Sequence, residues 1–331
     1  MIVQTPTFHD VLKAQAQIRP YLKPTPLYHY PGLTSLLGAD EAWVKHENHQ
    51  PIGAFKVRGG INLISQLTDQ ERQRGVIAAS TGNHGQSVAY ASRLFGVPAI
   101  VVVPKGANPG KVAAIRGLGA EVQFHGHDFD DAREEVERLT ETHGYRYIHS
   151  ANEPLLISGV GTEALEILEQ NPEIDTIIVA VGGGSGASGC CLTAKGIHPD
   201  IQVIGVQAEA APAAYRSWRE SRLIEDRMGT FAEGLATRVG FSMTQEILRE
   251  MLDDFVLVSE DELKRAVILM LEHTHNLIEG AGAAPLAAAL KIKGRLHGRK
   301  VALIASGGNL SLERLRAILD EMGGENSESP A

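Results

Sequence analysis

Short strand-like runs, each followed by a stretch of helical length, constrain this chain more than any other feature. The runs lie at 75–79 (GVIAA), 99–103 (AIVVV), 121–124 (EVQF), 176–181 (TIIVAV), 203–207 (VIGVQ) and 300–305 (KVALIA). Helical patterns fall at 86–95, 110–118, 129–143, 159–169, 187–196, 260–274, 282–291 and 311–319. Parallel strands covered on both faces read as near-continuous apolar runs, and parallel neighbours need a long, usually helical, crossover. The alternation therefore predicts the α/β class: two open, mostly parallel sheets with helices on both faces. Ligands of such sheets sit in the crevice at the carboxyl ends of the strands. An amphipathic opening helix over 7–18, with Thr7 and Asp10 near its start, and a strand at 42–45 precede the series. The polar end at 323–330 is expected to be unstructured.

The chemistry concentrates in the turns between these elements. Residues 47–60 read ENHQPIGAFKVRGG. Pro51 and Gly53 place Lys56 at the exit of a turn and the start of a helix over 57–67, between Phe55 and the flexible run Val57-Arg58-Gly59-Gly60. Partial desolvation there disfavours the ammonium form, and a free amine is what a Schiff base with an aldehyde cofactor requires. The plain alternative is a surface lysine at a helix N-terminus. A second signal is Val181-Gly182-Gly183-Gly184-Ser185-Gly186, after a strand and before a helix. Serial N–H groups without side chains, at a helix start, suit a phosphate. Ser80-Thr81-Gly82-Asn83-His84 occupies the same kind of junction and suits a carboxylate. Asn83 is also placed to donate to an oxygen of a cofactor ring, and His84 reads as a positioning residue. Ser306, before Gly307-Gly308-Asn309, can point its hydroxyl into the same crevice.

Composition excludes several classes. With 31 Lys+Arg against 40 Asp+Glu the net charge is −9, which argues against a nucleic-acid partner and offers no basic face to a membrane. No apolar run approaches bilayer length and the start lacks a signal-peptide pattern, so a cytoplasmic protein is expected. Cys190 and Cys191 are adjacent, neither a disulfide framework nor a zinc spacing, and read as small buried residues in a reducing compartment.

One rival and several decoys share these residues. Gly184-x-Gly186-x-x-Gly189, with Glu209 about twenty residues on, matches the dinucleotide fingerprint. That fingerprint belongs to the first strand of its unit, whereas here an earlier α/β segment carries its own loop and the lysine turn. His125, His127 and Asp128 resemble a metal box but read as a solvated strand-end loop. His273 and His275 fall in a helix, where neighbours two apart do not share a face. Residues 106–111 fall one short of a P-loop, with no hydroxyl after Lys111. Glu134, Glu135 and Glu137 read as a solvated helix face.

Taken in order, the lysine turn and the three loops resemble the fold-type II pyridoxal-phosphate enzymes, in particular the threonine/serine dehydratase and serine racemase group. ThrProLeu at 25–27, ProLysGlyAlaAsnProGlyLysVal at 104–112, GlyAlaGluVal at 119–122 and GlyThrGluAlaLeuGlu at 161–166 extend the resemblance over nearly the whole chain. It implies a tryptophan synthase β-like fold, with a large cofactor-binding domain from 1–74 and 151–331 and a small mobile substrate-binding domain from 75–150. It implies that Lys56 carries pyridoxal 5'-phosphate and then acts as the base at Cα. Phe55 would lie beside the ring, Asn83 would bond its phenolic oxygen, Gly182, Gly183, Gly184, Ser185 and Gly186 would hold the phosphate, and Ser306 would face the ring nitrogen. Ser80, Thr81, Gly82, Asn83 and His84 would grip the substrate carboxylate, with Ser80 and Thr81 also counted as catalytic.

The activity so implied is β-elimination from a small β-hydroxy amino acid, threonine or serine first, giving a 2-oxo acid and ammonia. Dehydration of 3-hydroxyaspartate or a hydroxyectoine-derived amino acid, or racemisation of serine, are the rivals within the group; a nicotinamide-dependent oxidoreductase is the rival outside it. A homodimer is the expected assembly. Three departures stand out. Gly186 replaces a usual bulky apolar residue. Thr81 stands where racemases place a serine. Tyr215 stands where metal-dependent members place a carboxylate near Glu209 and Ala213, so no metal is expected. No C-terminal regulatory domain is expected, nor feedback by branched-chain amino acids.

Overall fold

The computed structural model describes residues 4–80, 82–127 and 129–324. Among them ten strands form two sheets. The strands are β1 Leu27–His29, β2 Glu41–Lys45, β3 Val76–Ala79, β4 Ala99–Val103, β5 Glu121–Phe124, β6 Arg146–Tyr147, β7 Thr176–Ala180, β8 Gln202–Ala208, β9 Asp254–Val258 and β10 Lys300–Ile304. The larger sheet has the order β1-β2-β10-β7-β8-β9, the smaller β5-β4-β3-β6. Only the β1–β2 pair is antiparallel. The central strands β3, β4 and β7 bury nearly every side chain, which is why they are apolar throughout. The α/β class with two mostly parallel sheets is therefore what the chain adopts.

Register brings the chemical turns together. Ile304 of β10 pairs with Lys45 of β2, and Leu303 with Ile178 of β7. The segments leaving these strands, namely the lysine turn, the Ser306 loop and the glycine loop, emerge side by side. Ala54 and Gly307 form an antiparallel bridge, and Phe55 N–H donates to the Ser306 carbonyl at 3.0 Å.

Several expected boundaries move. The helix after Lys56 is Val57–Ile64, ending three residues early, and the run Val57-Arg58-Gly59-Gly60 is its buried first turn rather than a flexible stretch. The helix expected over 159–169 is Pro154–Gln170, because Pro154 occupies the first position, where its missing N–H costs nothing. His275 is not helical: Glu260–Thr274 ends before it, and His275 turns into the left-handed region at φ 57°. The last helix, Leu312–Gly324, takes in Gly323 and Gly324; residues 325–331 lie outside the described residues. The opening helix Phe8–Ile18 has the expected Thr7 and Asp10 capping pair.

Beneath the lysine turn lies a charge network that pattern reading passes over. Arg58, fully buried, donates to Glu47 Oε1 at 2.7 Å and to Glu166 Oε1 at 2.6 Å, and Lys45 Nζ donates to Glu166 Oε2 at 2.6 Å. Burial alone would raise the Glu47 carboxyl; the Arg58 guanidinium outweighs it and holds it down to about 2. Two glycine crossings let the surrounding helices approach: a Cβ on Gly159 would lie 2.8 Å from the Gly59 Cα, and one on Gly189 2.6 Å from the Gly161 nitrogen.

Candidate active site

Lys56 stands at the N-terminal boundary of Val57–Ile64, half-buried, with Nζ 3.0 Å from Ser185 Oγ and 5.1 Å from the centre of the Phe55 ring. Withdrawal of the amine from water lowers its pKa to about 8, against an opposing pull from the Glu163 charge. The lysine turn and the glycine loop, 129 residues apart, therefore meet at one contact.

Gly182 to Gly184 bridge β7 and the helix Ser185–Ile197. Gly184 sits at φ 90°, a conformation that a side chain rarely tolerates. A Cβ on Gly182 would run into the Gly234 carbonyl oxygen. Thr244 Oγ1 donates to the Gly183 carbonyl at 2.8 Å, tying the loop from outside. The first N–H groups of Ser185–Ile197 have no partner within the helix, as at any helix start, and face the end where Lys56 sits. A Cβ on Gly186 would lie 3.0 Å from Phe55 Cε2, so the unusual glycine is what admits the Phe55 ring.

Across the crevice, Asn83 begins the helix Asn83–Phe95, with Gly82 before it and the Gly82 N–H donating to Ser80 Oγ at 3.2 Å. Thr81 lies outside the described residues. Asn83 Nδ2 donates to Glu279 Oε1, and Asn309 Nδ2 donates to Asn83 Oδ1, each at 2.7 Å. His84 is buried in the first helical turn and donates from Nε2 to the Ile148 carbonyl at 3.0 Å; burial, then the nearby Lys56 charge, lower it to about 3. Its ring is thus neutral and fastened to the small sheet. Ser306 is buried just after β10. Glu279 was not foreseen, and no local pattern marks it; Asn309 is marked only as the last residue of the Ser306 loop, and both meet Asn83 only in the fold. Burial raises the Glu279 carboxyl, partly offset by the bond from Asn83.

The decoys find ordinary partners. Asn108 Oδ1 accepts from the N–H groups of Gly110 and Lys111, occupying donors that a P-loop would turn to phosphate. Glu135 pairs with Arg138 and Glu137 with Arg133 on one helix surface. His125 faces Glu135 at 3.9 Å, His127 N–H donates to Asp131, and Asp128 is outside the described residues. Glu209 accepts from Lys291 Nζ at 3.1 Å, and Tyr215 packs edge-on against Phe255.

A lysine amine whose pKa is lowered to about 8, a glycine loop at a helix start and an asparagine–hydroxyl set in neighbouring turns suit an aldehyde cofactor on a two-sheet α/β scaffold. The family described as "pyridoxal-phosphate dependent enzyme" matches residues 18–307, and the chain belongs to it. An L-threonine ammonia-lyase of Thermotoga maritima is 38% identical over 95% of this chain and 78% of its own length. A catabolic L-threonine dehydratase of Escherichia coli K12 is 40% identical over 84% of this chain and 85% of its own. The crystal structure of a serine racemase from Dictyostelium discoideum superposes with a TM-score of 0.88 at 37% identity, covering 93% of this chain and all of that one. Pyridoxal 5'-phosphate is the cofactor, and the residues present fit it: an amine of lowered pKa touches Ser185, the first residue of a helix whose opening N–H groups follow three glycines without side chains.

Proposed function

We propose that this chain is an ammonia-lyase that eliminates water from L-threonine or L-serine, releasing a 2-oxo acid and ammonia. The observation that carries the reading is Lys56, its amine near neutrality and held against Ser185 of the glycine loop. The activity of the threonine ammonia-lyase and dehydratase relatives supports it.

When bound, the cofactor would supply an aldehyde and an electron-withdrawing ring. Lys56 would take the proton from Cα. Gly182, Gly183, Gly184, Ser185 and Gly186 hold the phosphate, and Phe55 flanks the ring. Ser80, Gly82, Asn83 and His84, at the helix start, and Thr81, which lies outside the described residues, would hold the substrate carboxylate, with Ser80 and Thr81 also proposed as catalytic. Asn83, steadied by Glu279 and Asn309, donates to the phenolic oxygen. Ser306 would face the ring nitrogen with a neutral hydroxyl, which would not hold that nitrogen protonated and would favour loss of the β-hydroxyl.

A cavity of about 650 Å³ bordered by Glu279 and Asn309, the partners of Asn83, is lined also by Glu233 and Glu313 against Lys111 and Arg314. Lys111 is already paired with Glu233. That balance disfavours a second substrate carboxylate, as in 3-hydroxyaspartate. Segment 75–150 is proposed as the mobile substrate domain, moving against 1–74 and 151–331; the Lys111–Glu233 pair joins the two. A cytoplasmic homodimer is the proposed form. Two buried free cysteines support a reducing compartment, and among the described residues no helix is long and apolar enough to cross a membrane.

A panel of hydroxy amino acids, assayed for 2-oxo acid and for inversion at Cα, tests the reading. Turnover is expected with threonine and serine and to be at least about tenfold weaker with 3-hydroxyaspartate, whose second carboxylate would meet three glutamates. Inversion without 2-oxo acid would overturn it. Ser306→Asp is expected to retain cofactor, seen in its absorbance, while elimination falls on the order of 100-fold, the scale of one misplaced electrostatic contact. Unchanged turnover would remove the neutral-nitrogen argument.

A further inference from the structure

Behind the lysine turn lies a carboxyl that the proposed chemistry leaves unused. Glu163, on Pro154–Gln170, is 1% exposed, and its Oε2 has no hydrogen-bond partner among the described residues. Oε1 meets only the thiol of Cys190, at 3.7 Å. The carboxyl lies beside Gly186, where a Cβ would come 3.6 Å from Oε1 and 3.0 Å from the Phe55 ring. Glu163 and Phe55 thus share the space that a larger residue 186 would fill. Gly186 follows Ser185, which itself touches Lys56.

We propose that Glu163 is a positioning acid for Lys56: a carboxylate behind Phe55 while the lysine is an ammonium, it takes up the proton that the lysine gives up as its amine is freed for the cofactor. The inference rests on Lys56 being the cofactor lysine. Burial, and then the neighbouring Glu47 charge, raise the Glu163 carboxyl well above the carboxylate range, with Arg58 and Lys45 opposing. The groups facing it are Cys190 from Ser185–Ile197, Arg58 from Val57–Ile64, Lys45 from β2 and Glu47 after that strand. Lys56 is faced in addition by His84 and His149, both pushed toward neutrality by burial. Glu163 is the charged residue that raises the Lys56 pKa against burial. As a neutral acid it lets the amine go free; as a carboxylate it holds the ammonium. Two sites coupled in this way lose their protons in two steps belonging to the pair.

The test is the rate at which full-length apoprotein captures pyridoxal phosphate, followed by absorbance from pH 6 to 10 (roughly the span over which a lysine so shifted titrates). In the wild type the curve should be broad and two-stepped. In Glu163→Gln it should contract to a single-proton curve with a midpoint lower by about one pH unit, so that capture at pH 7 is about fivefold faster. Glu163→Leu should match the glutamine variant, while Glu163→Asp should stay near the wild type. An unchanged midpoint in either folded neutral variant overturns the proposal. Should neither fold, a single-proton curve in the wild type overturns it just as well, and a two-step curve sustains it. Wild-type protein that captures no cofactor at any pH would strike at Lys56 itself, not at Glu163.

Discussion

Lys56→Ala is expected to yield protein in which borohydride fixes no cofactor and from which 2-oxo acid release falls by about 10⁴-fold or more. Two roles vanish together. The amine that joins the aldehyde is gone, and so is the base at Cα, which by itself contributes roughly 10²–10⁴-fold. The glycine cradle is untouched by this change, so weak, reversible cofactor binding should persist and be removable by dialysis. Absorption spectra before and after borohydride, with a 2-oxo acid assay, check both halves. Turnover within tenfold of wild type would mean that the chemistry does not pass through this lysine. A nicotinamide enzyme, the rival suggested by the glycines at 184–189, would show that behaviour. Against it, Gly189 serves the helix crossing at Gly161, and the Glu209 carboxylate is paired with Lys291.

Arg58→Ala is expected to cost about 3–5 kcal/mol of folding stability, the penalty for leaving buried carboxylates without their counter-charge. The guanidinium answers Glu47 and Glu166 together, and Lys45 alone cannot replace it. A denaturant titration should show a lower midpoint at nearly constant slope. The pH dependence supplies a second check. The folded Glu47 carboxyl is held below its ordinary 4.5, at about 2, so its contribution is present above pH 4.5 and lost as pH falls toward 2. The variant should lack that part of the acid sensitivity. A loss under 1 kcal/mol would show that water or the neighbouring side chains relieve the charges.

Most of the fold was legible because local and global signals agree. The helix Glu260–Thr274 begins with a Ser259–Glu262 capping box and ends where the pattern does. Strands β4 and β7 are apolar because both faces are covered. The short edge strands β1 and β6 and the strand β9 were missed: three residues and two residues carry no period, and β9 follows directly on the amphipathic helix Ser242–Met251, which was missed too. In the site, Lys56, Ser185 and Asn83 sit in turns whose glycines and flanks announce them. Glu279, the bond from Asn309 to Asn83 and the Arg58 network could not be read that way. Asn83 and Glu279 are 196 residues apart, and only the packing of one sheet against the other introduces them. Glu163 lies inside the 161–166 motif, which carries the family resemblance but gives no sign that this carboxyl is buried without a partner.

The bridge between Ala54 and Gly307 has a consequence for biosynthesis. The reactive amine and the hydroxyl proposed for the ring nitrogen are fastened to one backbone ladder, yet they come from opposite ends of the polypeptide. A nascent chain emerging from the ribosome can complete neither the ladder nor the wall it supports until its final strand has been translated. Loading with the vitamin-derived cofactor is on this account a closing event of synthesis, and the partly made enzyme has no assembled site in which to misuse it.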